Sequence, residues 1–364
     1  MRFPEFQGEW EETLLENVCI INPKTSPLRN EFIYIDLESV VKGQLININH
    51  TLKSEAPSRA QRVLQDNDIL FQCVRPYQLN NYVHKQYDSN QWVASTGYAQ
   101  IRTSNDTNFL YQLLNSPMFN KEVMLRCTGS SYPAISSSDL GKISIVICSK
   151  KEQEKIGLLL SLIDERISTQ IKIIEDLRLL KIQTRHKIFS KLENFCSETK
   201  QIKDILDYEQ PTSYIVENTD YCNDSSLTPV LTANKAFILG YTNEKNGIYD
   251  KGNCIIFDDF TMDMKYVDFS FKVKSSAIKI LKSKQGINLK YMFEYISFLN
   301  LKSSDHKRHY ISEIEPMYIP IPRREYQDFV ANLFSAIDKK TETEFSYYNL
   351  LLSQKQYLLQ QMFI

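Results

Sequence analysis

The sequence has 364 residues, long enough for two cored domains, with 42% hydrophobic and 24% charged residues and a formal net charge of -1. That balance excludes a largely disordered chain, and it gives no general surplus of Lys and Arg for unaided binding to phosphates, so any nucleic-acid contact has to come from local patches. The seven cysteines are scattered without C-x-x-C spacing, the N-terminal residues contain no apolar signal-like core, and no apolar run reaches membrane-spanning length. A cytoplasmic protein is expected, with no membrane partner.

In chain order, residues 1–149 read as a first mixed α/β domain. "DNDILFQCV" (Asp66 to Val74) is an apolar strand after a turn, and "TNFLYQLLNS" (Thr107 to Ser116) has helical patterning. After that strand comes "RPYQLNNYVHK", carrying Arg75, Tyr77, Gln78, Asn80, Asn81, His84 and Lys85; after the helix comes "TGSSYPAIS", with Ser130, Ser131 and Tyr132. Arg, Asn and Gln have paired donors and acceptors that match base edges in the major groove, so these two loops are candidate DNA-binding segments. A solvated loop is the plainer alternative for each residue taken singly.

Residues 150–195 read as one long helix. Its stripe Ile156, Leu160, Ile163, Ile167, Gln170, Ile174, Leu177, Lys181 alternates steps of three and four, as a coiled-coil seam requires. The segment returns at an offset of 174 residues. Gln153 matches Gln327, Ile163-Asp164 matches Ile337-Asp338, Lys181 matches Lys355 and Phe189 matches Phe363, so residues 323–364 form a second long helix. At about forty residues each, the rods measure roughly 60 Å. Gln170 with Glu344 and Lys181 with Lys355 interrupt the seam; they either lie at its edge in water or set the register between helices. Upstream of each helix an alternating stretch, Ile143, Ile145, Ile147 or Met317, Ile319, Ile321, predicts a strand leading into it.

Residues 196–322 form the second domain, with "KGNCIIFDDF" and "INLKYMFEYIS" in place of the first domain's strand and helix. Between Lys272 and Arg308 nine basic residues face only Glu294 and Asp305, a local surplus able to attract phosphates. "KSSDHKRHY" occupies the position of "TGSSYPAIS", which makes Lys302, Ser303, Ser304, His306, Lys307 and Arg308 DNA-binding candidates. The predicted fold is therefore two α/β (α+β) recognition domains in a pseudo-two-fold arrangement, separated by a pair of long antiparallel coiled-coil helices.

No P-loop, dinucleotide fingerprint, H-E-x-x-H or Asn/Asp-Pro-Pro-aromatic element occurs. His306 and His309 have no carboxylate or Cys cluster to complete a metal shell, so no metal site is expected. Asp263 and Lys265, with Asp258 and Asp259 before them, imitate half of a metal-dependent nuclease centre. A standalone nuclease and a coiled-coil adaptor that binds no DNA are the competing functional classes, and no catalytic site is the preferred reading.

The opening "RFPEFQGEWEETLLENV", the domain end "YPAISSSDLGKISI" and the helix "EQEKIGLLLSLIDERISTQIKIIEDLRLLK" resemble those of type I restriction-modification specificity subunits. The second copy departs from the pattern at Tyr326-Gln327, where Glu-Gln is usual, and at Tyr347-Tyr348. The resemblance implies a non-catalytic subunit that reads the two halves of a bipartite double-stranded DNA target and whose helices fix the unread spacer. It implies two modification (methyltransferase) subunits and restriction (endonuclease/translocase) subunits as partners. S-adenosylmethionine, ATP and Mg²⁺ would then be bound by those partners and no cofactor by this chain. Leu158, Leu159, Ile173, Leu179 and Leu180 would dock the modification subunits.

Overall fold

A computed structural model describes residues 2–196, 198–233, 236–303 and 307–363. The chain forms two compact units, Met1–Ile171 with Ser346–Ile364, and Lys172–Phe345. The division cuts both long helices, Lys150–Phe195 (46 residues) and Arg324–Met362 (39 residues). Each unit thus contains one α/β portion and a piece of each helix.

The first unit has two four-stranded sheets. One orders Asn49–Leu52, Glu31–Ile35, Trp92–Ser95 and Ala60–Val63; the other orders Cys19–Ile21, Tyr98–Thr103, Ile69–Gln72 and Tyr82–Val83. Trp92–Ser95 runs parallel to Glu31–Ile35, a pairing between strands far apart in sequence, whereas its other neighbour is antiparallel. The expected strand after Asp66 and the expected helix after Asp106 are both present, as Ile69–Gln72 and Thr107–Leu114. Asp106 starts that helix by accepting a hydrogen bond from the Phe109 amide at 2.7 Å, and Phe109, Leu110, Leu113 and Leu114 line its buried face. Ser144–Ile147, the strand predicted before the first long helix, pairs antiparallel with Glu11–Leu14.

The second unit repeats the plan with fewer strands. Leu206–Glu209, Ile278–Ser283, Cys254–Asp258 and Met264–Val267 form one sheet, and Ile238–Thr242, Thr228–Leu231 and Lys272–Val273 another. Helix Leu289–Leu299 is capped by Asn288, and Tyr318–Pro320 pairs with Thr199–Gln201 just before the second long helix. Pro320 ends that strand, as expected of a residue that has no amide to donate.

The helices pair antiparallel within each unit. In the first, Ile156, Leu160, Ile163 and Ile167 share a core with Leu351, Leu359, Met362 and Phe363. Trp10 links Glu152, near the start of one helix, to Phe363, just past the end of the other. Twelve residues after Glu152, Asp164 accepts from Lys355 at 2.6 Å, which fixes the opposite directions. In the second unit Phe189 stacks on Phe334 with ring centres 6.2 Å apart, and Lys181 donates to Asp338 at 2.5 Å. Each fully buried Ile, Leu or Phe in these seams contributes on the order of 1.5–3 kcal/mol.

The lysines in the seam therefore set register. Asp164 and Lys355 in one unit are the counterparts, at offset 174, of Asp338 and Lys181 in the other, so one inter-helix bond is made twice with its partners exchanged. Gln170 is buried rather than at a wet edge. Leu158, Ile173, Leu179 and Leu180 are exposed; Leu159 instead packs half-buried against the first unit's core. No helix among the described residues is long and apolar enough to cross a membrane.

Candidate nucleic-acid interface

The two candidate loops of the first unit meet. Residues 73–75, which lead into the first, pair with the second through the bridge Val74↔Ala134, the Ile135 amide donating to the Cys73 carbonyl at 3.0 Å, and the Arg75 amide donating to the Pro133 carbonyl at 2.7 Å. The Arg75 guanidinium lies over the Tyr132 ring, 4.4 Å from its centre. Tyr77, Gln78, Ser130, Ser131 and Tyr132 are exposed around this junction.

Not every candidate faces outward. Asn81 is buried; it accepts from the Gln72 amide at 2.8 Å and donates to Asn115 at 3.1 Å. His84 is fully buried against Trp92, with Nε2 3.2 Å from Gln86 Oε1. Burial pushes the His84 imidazole below its ordinary range, against the opposing pull of the Gln86 bond. Asn80 Oδ1 accepts from the Lys42 amide at 2.9 Å, and Lys85 is bonded to Asn67. These four side chains hold the loop in shape: the chain turns inward after Leu79, so its polar groups meet the protein's own backbone and amides. Arg75, Tyr77, Gln78 and Tyr132 are what the loop pair presents.

The second unit has the same junction. Its strand Cys254–Asp258 is followed by a short turn, and the His309 amide donates to the Asp259 carbonyl at 3.0 Å, just as Ile135 donates to Cys73; Ile135 and His309 are 174 residues apart. Asp259 Oδ1 also accepts from the amides of His309 and Tyr310 at 3.1 and 2.8 Å. An Arg–aromatic pair recurs here with the loops exchanged, Arg308 over Phe260 at 5.8 Å. The turn at Phe260 thus lies against Arg308, a contact that the sequence reading did not single out. The 174-residue offset could not have located it, because that offset matches His309 with Ile135 while Asp259 lies 186 residues after Cys73.

Of the remaining candidates, Lys302 is exposed and Ser303 Oγ lies 3.0 Å from His309 Nε2. Lys307 pairs with Glu313 at 3.0 Å. Hydrogen bonds from Lys307 and from His309 hold the Glu313 carboxyl below its usual range. Ser304 and His306 lie outside the described residues.

The basic run is mostly neutralised, which corrects the expectation of a strong local surplus. Lys272 pairs with Glu244 at 2.8 Å, Lys279 with Asp259 at 3.5 Å, Lys282 with Glu209 at 2.6 Å, Lys284 with Asp207 at 3.3 Å and Lys290 with Asp338 at 2.7 Å. The fold brings acids from elsewhere in the sequence against these lysines, and a count within a window cannot detect them. Lys274, Lys302 and Arg308 are exposed and have no ion pair among the described residues.

The nuclease-like acids are also committed. Asp258 caps the turn by accepting from the amides of Phe260 and Thr261, both at 2.9 Å; Asp259 ties the two loops; Asp263 accepts from the Thr261 hydroxyl at 3.2 Å. Lys265 sits in a strand opposite Ile256. Among the described residues no three His, Cys, Asp or Glu side chains converge in a way that could hold a metal ion.

Behind each junction the sequence duplication recurs as matched polar contacts. Gln153 Nε2 donates to the Cys148 carbonyl at 2.8 Å while Oε1 accepts from the Asp106 amide at 3.4 Å; Gln327 Nε2 donates to the Pro322 carbonyl at 2.9 Å while Oε1 accepts from the Asn288 amide at 2.9 Å. Each glutamine ties the start of its long helix to the cap of the domain helix. Each seam aspartate is also bonded by that domain helix, Asp164 by Gln112 at 2.6 Å and Asp338 by Lys290 at 2.7 Å. In both units, therefore, the same two side chains tie the long helices to the domain helix.

Residues 7–177 match the family model for the type I restriction modification DNA specificity domain. A 125-residue segment is 50% identical to the EcoR124I/EcoR124II specificity subunit of Escherichia coli, covering 33% of this chain and 31% of that protein. The MjaIX specificity subunit of Methanocaldococcus jannaschii is 24% identical over 50% of this chain and 43% of its own length. The chain thus spans less than half the length of the curated relatives it matches. Among solved structures, a type I restriction-modification S subunit from M. genitalium superposes with a TM-score of 0.66 at 16% identity, covering 98% of this chain and 96% of that one. A second, from work on assembly and conformational transition of the type I R-M system, gives 0.57 at 17% identity, with 97% of both chains covered. At these identities the structures establish the fold.

Proposed function

We propose that this chain, a member of the type I restriction-modification specificity family, is the subunit that reads DNA for such a system, each unit contacting one half of a bipartite double-stranded target. The observation that carries the reading is the recurrence, in both units, of a loop pair joined by an Arg–aromatic contact, in a domain whose helix is tied to the paired helices by a matching Gln and Asp. A single reading head would need only one such device.

On this reading the chain performs no catalysis. Two modification subunits supply adenine methylation with S-adenosylmethionine, and restriction subunits supply ATP- and Mg²⁺-dependent translocation and cleavage, in the cytoplasm. Exposed Leu158, Ile173, Leu179 and Leu180 offer apolar docking points on the first long helix. Sharing phosphate contacts with partner chains suits a net charge of -1 and a basic run mostly spent on internal pairs.

A footprint of the chain assembled with its modification subunits on host DNA tests the reading. Protection of two short tracts separated by an unprotected interval is expected. Sequence-independent protection, or none, contradicts it and would favour the adaptor reading.

A further inference from the structure

Arg75 differs from the five arginines that are tied up in ion pairs. Arg2, Arg102, Arg126, Arg185 and Arg324 each pair with a carboxylate, at distances of 2.5 to 2.8 Å. Among the described residues, no carboxylate or other acceptor is found on the Arg75 guanidinium; its contact is the face of Tyr132. Its backbone is in the left-handed region at φ 55°, and so is that of Leu79 at φ 53°, on either side of the single turn Pro76–Gln78. Two non-glycine residues in that region within five positions cost energy that local propensity does not repay, and such conformations collect at binding sites, where the surrounding structure enforces them. Here the enforcement is visible: buried Pro76, the Arg75 amide bonded to Pro133, and Gln72 bonded through Nε2 to Gln78 at 2.8 Å.

We infer that Arg75, held over the ring of Tyr132, reads a guanine in the half-site bound by the first unit. A guanidinium presents two parallel N–H donors that match guanine O6 and N7 in the major groove, a geometry no other base offers. Stacking on Tyr132 restricts the side chain's rotamers before DNA arrives, so less ordering is needed on binding. Lys85 is bonded to Asn67 and Asn80 Oδ1 accepts from the Lys42 amide, so neither can present the paired contacts that Arg75 can. This inference rests on the DNA-reading proposal above.

The test is the methylated motif of host DNA, mapped by single-molecule sequencing for the complete complex carrying wild-type chain, Arg75→Ala, Arg75→Gln or Tyr132→Phe. The wild type is expected to give two half-sites with a G·C pair in at least one. Arg75→Ala makes one such position degenerate, with discrimination there falling about tenfold to a hundredfold, and leaves the other half-site and the spacer intact. Arg75→Gln shifts that position toward A, since an amide matches adenine N6 and N7. Tyr132→Phe keeps the wild-type motif. An unchanged motif in both Arg75 variants, with methylation lowered evenly across sites, overturns the inference and makes Arg75 a phosphate contact. Should Arg75→Ala abolish methylation, Arg75→Gln decides, with retained G overturning and A supporting. If the wild-type complex produces no motif at all, the DNA-reading proposal itself falls.

Discussion

Glu294 is fully buried and receives Arg185 at 2.6 Å and Lys181 and Lys290 at 3.2 Å each. Its counterpart six residues after the first unit's helix cap is Gln112, which bonds Asp164 without charge of its own. Removing the acid leaves three cations facing one remaining carboxylate, so Glu294→Ala is expected to cost about 3–5 kcal/mol in chemical denaturation. Gln112→Ala should cost about 1–3 kcal/mol, the penalty of one unpaired buried group. Similar losses for the two would show that the charge network adds nothing. Two titrating groups give the chain separate acid responses. His84 is pushed down chiefly by burial, so its neutral form belongs to the fold; its contribution is complete above the unfolded value of about 6.5 and falls as pH drops below it. Burial pushes the Glu209 carboxyl up, but bonds from Lys251, Lys282 and Tyr214 outweigh it and bring it to about 2, so that contribution persists until pH falls below about 4 and is lost toward 2. His84→Gln should flatten the pH dependence of thermal stability just below 6.5 and leave the lower window unchanged; flattening in both windows would contradict the assignment.

Gly157 sits inside the first long helix against the cap of Thr107–Leu114, where an added Cβ would run into Asp106 Oδ1 and come within 2.8 Å of the Phe109 amide. Helix propensity favours alanine there by about 1 kcal/mol. Packing opposes it, and Gly157→Ala is expected to lower stability by about 1–3 kcal/mol, as overpacking does. Ala331, 174 residues on, already holds a Cβ at the matching position, so Ala331→Gly should cost only about 1 kcal/mol. A stabilising Gly157→Ala in a melting experiment would show the cap to be dispensable. The elements themselves were legible to different depths. Both long helices, the strands leading into them and the two domain helices followed from apolar spacing and the repeat, because those signals are local. The parallel pairing of Trp92–Ser95 with Glu31–Ile35 left no local trace. Nor did the inward turn that buries Asn81 and His84, since a polar side chain in a loop reads the same whether it faces water or a backbone amide. The neutralised lysines escaped for the same reason, their partners Glu209 and Glu244 lying many residues away.

For the molecule as a whole, one chain encodes the same construction twice. The offset of 174 residues that matches Gln153 with Gln327 and Asp164 with Asp338 in the sequence also matches their hydrogen bonds in the fold. If the paired helices set the interval between two DNA half-sites, that interval must follow their length. One heptad added to each helix preserves the seam's face and adds about 10 Å, about three base pairs of B-form DNA. Matched seven-residue insertions at 171/172 and 345/346, where the compact units divide, leave each unit's own Asp–Lys bond intact. The decisive measurement is the spacer of the methylated motif in a host carrying that lengthened chain with its modification subunits. We predict the same two half-sites separated by about three more base pairs; an unaltered spacer, or a single contiguous motif in the wild type, would contradict the account.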